Sequence, residues 1–198
     1  VLIMQLLWWF GIHGPNVMGA VTSPFMTKMM ATNLELYQTG EGVSASGVFY
    51  QAGSQYSIIS SPFAAGWFCP TGSGITMGLI IAIMLFSKRD DFKAIAKLAI
   101  PCGIFNINEP IIFGIPLVMN AVFAVPFFLA PLACISLGYL VQYIGLCPLF
   151  VINVPWTTPV GLFGFLASSG NIMGGIWQAV IIIGVSTLIY TPFVIASN

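Results

Sequence analysis

From Leu98 to Asn198 the chain carries a single charged side chain, Glu109. The rest of that stretch is dominated by Ile, Leu, Val, Phe, Ala and Gly, the composition of a segment that lives in lipid. A carboxylate at the centre of a membrane helix costs about 2.5–3.5 kcal/mol on insertion scales, so an acid kept there faces a partner or a cavity. Its setting, IFNINEPIIFGIP at 104–116, is built to interrupt a helix. Asn106 and Asn108 bring amides that donate and accept. Pro110 and Pro116 each remove a backbone donor, and Gly103 and Gly114 loosen the chain on either side. The pattern predicts a broken helix or a re-entrant turn. Irregular backbone at membrane depth is tolerated only where it is buried in protein or lines a watery cavity, and transporters place their substrate sites at such breaks. The plainer alternative is that Glu109 only caps a helix start.

Composition extends this reading to the whole chain. Of 198 residues, 58% are hydrophobic and 5% charged, with mean hydropathy +0.99; a soluble domain carries about 25% charged residues. At about 20 residues per span, the length allows about five or six crossings or half-crossings. The zero formal net charge implies no nucleic acid or acidic partner. Cys69, Cys102, Cys134 and Cys147 are far apart, sit in apolar runs and form no CxxC. They read as small hydrophobes rather than a disulfide or metal set, and no metal or cofactor is expected. The opening VLIMQLLWWFGI lacks a basic start and a cleavage signature, so it is not a signal peptide. It reads as the end of a longer helix, and the chain as a fragment whose N-terminal portion is missing.

Taken in order, Trp8 and Trp9 close that first span, either as an interfacial belt or as a stacking surface for a sugar ring. HGPNVMGAVTSPF follows (13–25), where Gly14-Pro15-Asn16 is expected to break any helix. His13 is the only histidine; near Asn16, the tryptophans and an intramembrane acid it is a candidate ligand group rather than a structural donor. Residues 27–55 are more polar and predict a surface loop, with Glu35 and Glu41 solvated. Residues 51–68 are too interrupted for a span. CPTGSG (69–74) is a turn, and not a nucleotide loop, because no GK[ST] follows. Residues 75–86 predict an apolar helix that, with the residues before it, reaches across a bilayer.

SKRDDFKAIAKLAI (87–100) holds four of the five basic residues, Lys88, Arg89, Lys93 and Lys97, and the positive-inside rule puts it in the cytoplasm. Phe92, Ile95, Ala96 and Ala99 share one helical face, as in an amphipathic linker on the membrane surface or between bundles; the alternative is a plain cytoplasmic loop. Residues 111–150 predict at least one span and favour two. NVPWTTPVG (153–161) is a second interrupted stretch with polar groups at depth. SSGNIMGG (168–175) is a turn, and residues 176–196 are the last span. The fold class is an all-α membrane protein, with polytopic transmembrane helices and interrupted, re-entrant hairpin elements.

GIHGPNVMGAVTSPF, IFNINEPIIFGIPLVMN and VPWTTPVGLFGFLASSGNIMGGIWQ together resemble the lactose/cellobiose/chitobiose class of enzyme IIC, the sugar permease of the phosphoenolpyruvate-dependent phosphotransferase system. NEPIIFG (108–114) is the most specific stretch. The resemblance covers nearly all of residues 1–198 but only the C-terminal half of a typical member. It implies a transport domain that moves against an N-terminal scaffold through which members dimerise. It also implies a disaccharide (cellobiose, diacetylchitobiose or lactose type) phosphorylated by a phosphocysteine on a IIB partner, itself served by IIA, in a multi-pass protein of the bacterial inner membrane. By motif, Glu109 and His13 correspond to the acid and histidine at the sugar, and Trp8, Asn16 and Asn106 match by position. Trp156 rests on its place in VPWTTP. Glu109 is also the candidate general base; the chain is expected to have no catalysis independent of IIB, whose cysteine is the phosphocarrier.

The residues support the same chemistry by themselves. Sugar hydroxyls need acceptors and donors, and sugar C–H faces pack on aromatics; the carboxylate, imidazole, amides and indoles supply both. A buried Glu can take the proton of an attacking hydroxyl. The competing reading is a proton-coupled secondary sugar transporter with Glu109 as the proton carrier. A non-transporting membrane scaffold fits the polar breaks less well.

Overall fold

The computed structural model describes residues 1–44, 47–68 and 70–198; Cys69 lies outside the described residues. The chain opens with α1 (Leu2–Trp9), which ends in a turn through Gly11 at φ 79°. The break expected at Gly14-Pro15-Asn16 falls here instead. Gly14 and Pro15 open the next helix, α2 (Gly14–Thr39), because proline in a first turn forfeits no helical bond. Helix α2 also overturns the surface loop expected from residue 27. Its second half, MTKMMATNLELYQT, is polar yet rich in Met, Leu, Ala, Lys, Glu and Gln, all strong helix formers. Only Gly40, left-handed at φ 78°, stops it. The loop that does follow holds a small antiparallel pair, β1 (Val43–Ser44) and β2 (Gly47–Val48), so the chain is helical with one strand pair rather than wholly α. Asn33 ties α2 to this loop as a peptide would, donating to the Ser57 carbonyl (2.7 Å) and accepting from the Ser57 N–H (2.8 Å).

Helix α3 (Ser61–Trp67) and α4 (Met77–Phe86) are short. The residues before α4 form a tight turn, so α4 has ten residues and does not reach across a bilayer as expected; at 1.5 Å per residue it covers about half the hydrocarbon core. Helix α5 (Asp90–Ile104) carries Lys93 and Lys97 of the basic cluster, with Lys88 and Arg89 just before its start. Its predicted face forms: Phe92, Ala96 and Ala99 are buried and Ile95 packs beside them. That face packs in one cluster with Leu79, Ile80 and Ile83 of α4 and with Ile111 and Ile112 of α6. At its start Arg89 hydrogen-bonds Asp91 (2.6 Å) and lies over the Phe92 ring; that hydrogen bond holds the Asp91 carboxyl below its ordinary value.

After α6 (Glu109–Gly114) comes α7 (Ala121–Tyr143), 23 residues that run through Pro126 and Pro131. The stretch 111–150 therefore holds one span and not two. Membrane-type helices absorb prolines when neighbours satisfy the freed carbonyls, and here Gly145, left-handed at φ 74°, closes the turn that follows. Gly138 lets the Trp67 ring lie flat on the α7 backbone, where any Cβ would collide. Trp67 is fully buried and stacks on Phe150, ring centres 5.3 Å apart.

Helix α8 (Leu162–Ala167) leads through a narrow turn to α9 (Ile172–Ala179), a π-helical stretch (Val180–Val185) and α10 (Ser186–Ala196). These last three form one continuous 25-residue helix, longer at its start than expected, because Gly174 and Gly175 belong to it. They are there for close packing: the α8 backbone passes so near that side chains would not fit. Among the described residues, two helices, Ala121–Tyr143 and Ile172–Ala196, are long and apolar enough to cross a membrane.

Candidate functional site

The junction of α5 and α6 builds the site. Helix α5 ends where Ile107 N–H reaches back to the Cys102 carbonyl (3.0 Å) and Asn106 takes a left-handed φ of 66°. Asparagine is among the few residues that tolerate this at a helix C-terminus. Two residues later α6 starts with Glu109, followed by Pro110 in the first turn. The interruption expected from the sequence is thus a tight reversal between two helices. Glu109 does stand at a helix start, and it also lines a cavity of about 760 Å³, within the usual range of about 300–1,000 Å³ for small-molecule sites.

All six residues singled out from sequence come together there: Trp8, His13, Asn16, Asn106, Glu109 and Trp156. The α1–α2 elbow brings the first three. His13 Nδ1 accepts the Asn16 N–H (3.2 Å) and caps α2. An imidazole accepting at Nδ1 carries its proton on Nε2, which leaves that nitrogen as a donor. The His13 ring stands 4.9 Å from the Trp8 ring, tilted by 54°. Trp9 turns the other way, onto Phe128. Trp156 arrives from the 153–161 stretch and is 60% exposed, so its face is open.

The two amides beside Glu109 behave differently from the carboxylate. Asn106 is 5% exposed and fully engaged: Oδ1 accepts from Thr71 N–H (2.7 Å), and Nδ2 donates to the carbonyls of Trp156 (2.5 Å) and Thr158 (2.8 Å). Asn108 is 4% exposed and donates to the Ser73 carbonyl (2.7 Å). Uncharged amides thereby satisfy irregular backbone from two other segments, as a low-dielectric setting demands. Glu109 is exposed and, among the described residues, has no hydrogen bond or ion pair. Among the described residues, no lysine or arginine lines the cavity.

Sequence reasoning did not place Gly72 and Ser73 at the cavity, where they form part of the wall. Their only local signal is the density of Gly, Ser and Thr, which marks a turn and not its position. Asn106 bonds 35, 50 and 52 residues away, and no periodicity reports such distances.

Helices long and apolar enough for a bilayer, broken around a cavity that holds a carboxylate, are the features of a helical membrane protein. The family described as "Phosphotransferase system, EIIC" matches residues 1–131. The chain is 35% identical over 200 residues to the oligo-beta-mannoside-specific EIIC component of Bacillus subtilis (strain 168), covering 100% of this chain and 42% of that protein. It is 36% identical over 212 residues to the cellobiose-specific EIIC component of Lactococcus lactis subsp. lactis (strain IL1403), again 100% and 42%. The crystal structure of the transporter ChbC, the IIC component from the N,N'-diacetylchitobiose-specific phosphotransferase system, matches with TM-score 0.86 and 34% identity over 98% of this chain and 42% of that one. This chain belongs to the EIIC family of the phosphotransferase system. It spans less than half the length of these relatives.

Proposed function

We propose that the chain forms the sugar-binding part of a permease of the phosphoenolpyruvate-dependent phosphotransferase system, taking a disaccharide into the Glu109 cavity. The observation that carries this reading is a carboxylate without a partner among the described residues, in a cavity of about 760 Å³ that no described lysine or arginine lines. Such a site suits a neutral polyol: among the described residues it offers no lysine or arginine to pair with a phosphate or carboxylate ligand. Glu109 accepts from sugar hydroxyls, His13 Nε2–H and Asn16 donate, and Trp8 and Trp156 cover the ring faces. Asn106, called a sugar contact from sequence, is better suited to positioning, since its amide already holds Thr71, Trp156 and Thr158. The relatives' names, oligo-beta-mannoside, cellobiose and N,N'-diacetylchitobiose, support a β-linked disaccharide.

In the transfer step a sugar hydroxyl attacks the phosphorus of a phosphocysteine on the IIB partner. The O–P bond forms as the S–P bond breaks, and Glu109 takes the hydroxyl proton. Helix α4 acts as a half-crossing, and the shorter α3, α6 and α8 as parts of re-entrant elements, beside the two full spans in the bacterial inner membrane, and the intact protein works as a homodimer with IIB, fed by IIA, at its cytoplasmic face. Sugar uptake into vesicles carrying the intact permease is expected to require phosphoenolpyruvate and IIB and to persist when the proton gradient is collapsed. Uptake that needs the gradient and ignores phosphoenolpyruvate would assign the site to a proton-coupled transporter instead.

Orientation is a separate expectation. Lys88, Arg89, Lys93 and Lys97 put the start of α5 on the cytoplasmic side. A cysteine at position 90 (Asp90→Cys), exposed at the helix start, is expected to react with a membrane-impermeant maleimide only after the inner face is opened. Labelling of intact cells would reverse the topology.

A further inference from the structure

The turn between α3 and α4 is held more completely than any loop needs for connection alone. Each carbonyl from Thr71 to Gly74 has a partner. Thr76 Oγ1 donates to Thr71 O (3.0 Å), Ile75 N–H to Gly72 O (3.0 Å), Asn108 Nδ2 to Ser73 O (2.7 Å) and Tyr190 Oη to Gly74 O (2.8 Å). Thr71 Oγ1 accepts from Met77 N–H (3.3 Å), and Thr71 N–H is held by Asn106. Gly72, left-handed at φ 79°, lies so close under the Asn108 amide that a Cβ would collide with it. The partners from outside the turn are Asn106 and Asn108 of the α5–α6 junction and Tyr190 of α10, so the turn is locked to two separate parts of the fold.

Among the described residues, one side-chain polar group in this turn has no hydrogen-bond partner: the hydroxyl of Ser73. Ser73 is 93% buried, at 7% exposure, and lines the cavity. Its Oγ is not among the sealed unpaired atoms of the interior, so it opens onto accessible space. Its neighbour across the Asn108 hydrogen bond is the residue preceding Glu109. A hydroxyl with no protein partner, on a turn with every carbonyl restrained, is a preorganised donor and acceptor. We propose that Ser73 contacts a hydroxyl of the disaccharide directly, beside Glu109, and that Asn108 is its positioning residue. This rests on the sugar-binding reading above.

The test uses the intact permease, a parent disaccharide such as cellobiose and its set of monodeoxy analogues. One neutral hydrogen bond is worth about 0.5–1.5 kcal/mol, so Ser73→Ala is expected to weaken parent binding about three- to tenfold. One monodeoxy analogue is expected to bind wild type weaker by the same factor, and to bind Ser73→Ala no worse than the parent does. Asn108→Asp keeps the size, removes the donor to Ser73 O, and is expected to erase the same discrimination. A merely structural serine would not single out one sugar hydroxyl. Wild type that binds no disaccharide overturns the sugar reading and this assignment with it. Wild-type binding, with Ser73→Ala unchanged within twofold or weakened equally for every analogue, overturns this assignment alone.

Discussion

Glu109→Gln is expected to weaken disaccharide binding about tenfold or more while leaving the fold intact. The substitution keeps the size and one acceptor but removes the charge. A hydrogen bond to a charged group is worth about 1.5–3 kcal/mol, so one lost charge-assisted contact is roughly a tenfold or larger change in affinity. Against this, the fold loses little. Glu109 is exposed, has no partner among the described residues, and stands in the first turn of a six-residue helix. An acid there contributes at most about 0.3–1 kcal/mol through the helix dipole. If Glu109 is also the general base, IIB-dependent phosphorylation at saturating sugar falls by a further ~10²–10⁴. Titration calorimetry and single-turnover phosphorylation separate the two effects. Near-wild-type values in both would remove Glu109 from the site.

Gln178→Leu is expected to produce the largest loss of stability. Gln178 sits fully buried in the last span, and its Oε1 accepts from Gly161 N–H (2.9 Å) and Gly164 N–H (2.8 Å). Its Nε2 donates to the Gly66 carbonyl (2.9 Å). One amide thus satisfies the unpaired start of α8 and the end of α3, 112 residues away. Leucine fills much of the space but orphans two donors and an acceptor, at about 1–3 kcal/mol each. The sum is a large share of the 5–15 kcal/mol that holds a typical domain together. Thermal unfolding in detergent is expected to shift down by about 6 °C or more, with Gln178→Glu intermediate or worse because it loses the donor and adds a buried charge. A midpoint within about 2 °C of wild type would show that the three backbone groups find other partners.

What the sequence disclosed follows from what is local. The last span and α7 were legible as long uncharged runs, and the inner face of α5 from the spacing of Phe92, Ile95, Ala96 and Ala99. The site was legible because its members are rare: one acid in a hundred residues, one histidine, tryptophans beside helix breakers. What failed involved tertiary context. Polar residues in the second half of α2 suggested a loop, although their helix propensity was high and Asn33 had a partner at Ser57. Prolines suggested that 111–150 divides, although α7 runs through both. The roles of Asn106, Asn108 and Gln178 were out of reach for the same reason: an amide that holds backbone dozens of residues away looks, in sequence, like one that holds a sugar. The resemblance to enzyme IIC gave the family, which the matched profile and relatives establish. It did not separate residues that touch a ligand from those that shape its walls.

The central claim is that the cavity between the α1–α2 elbow, the 70–76 turn and Glu109 holds a disaccharide. The most direct measurement is a structure of the intact permease determined with cellobiose or diacetylchitobiose. The expected result is sugar density in this cavity, with a hydroxyl within about 3 Å of a Glu109 carboxylate oxygen and a ring face against Trp8 or Trp156. Sugar bound elsewhere, with the Glu109 carboxylate still unpaired, would contradict the account.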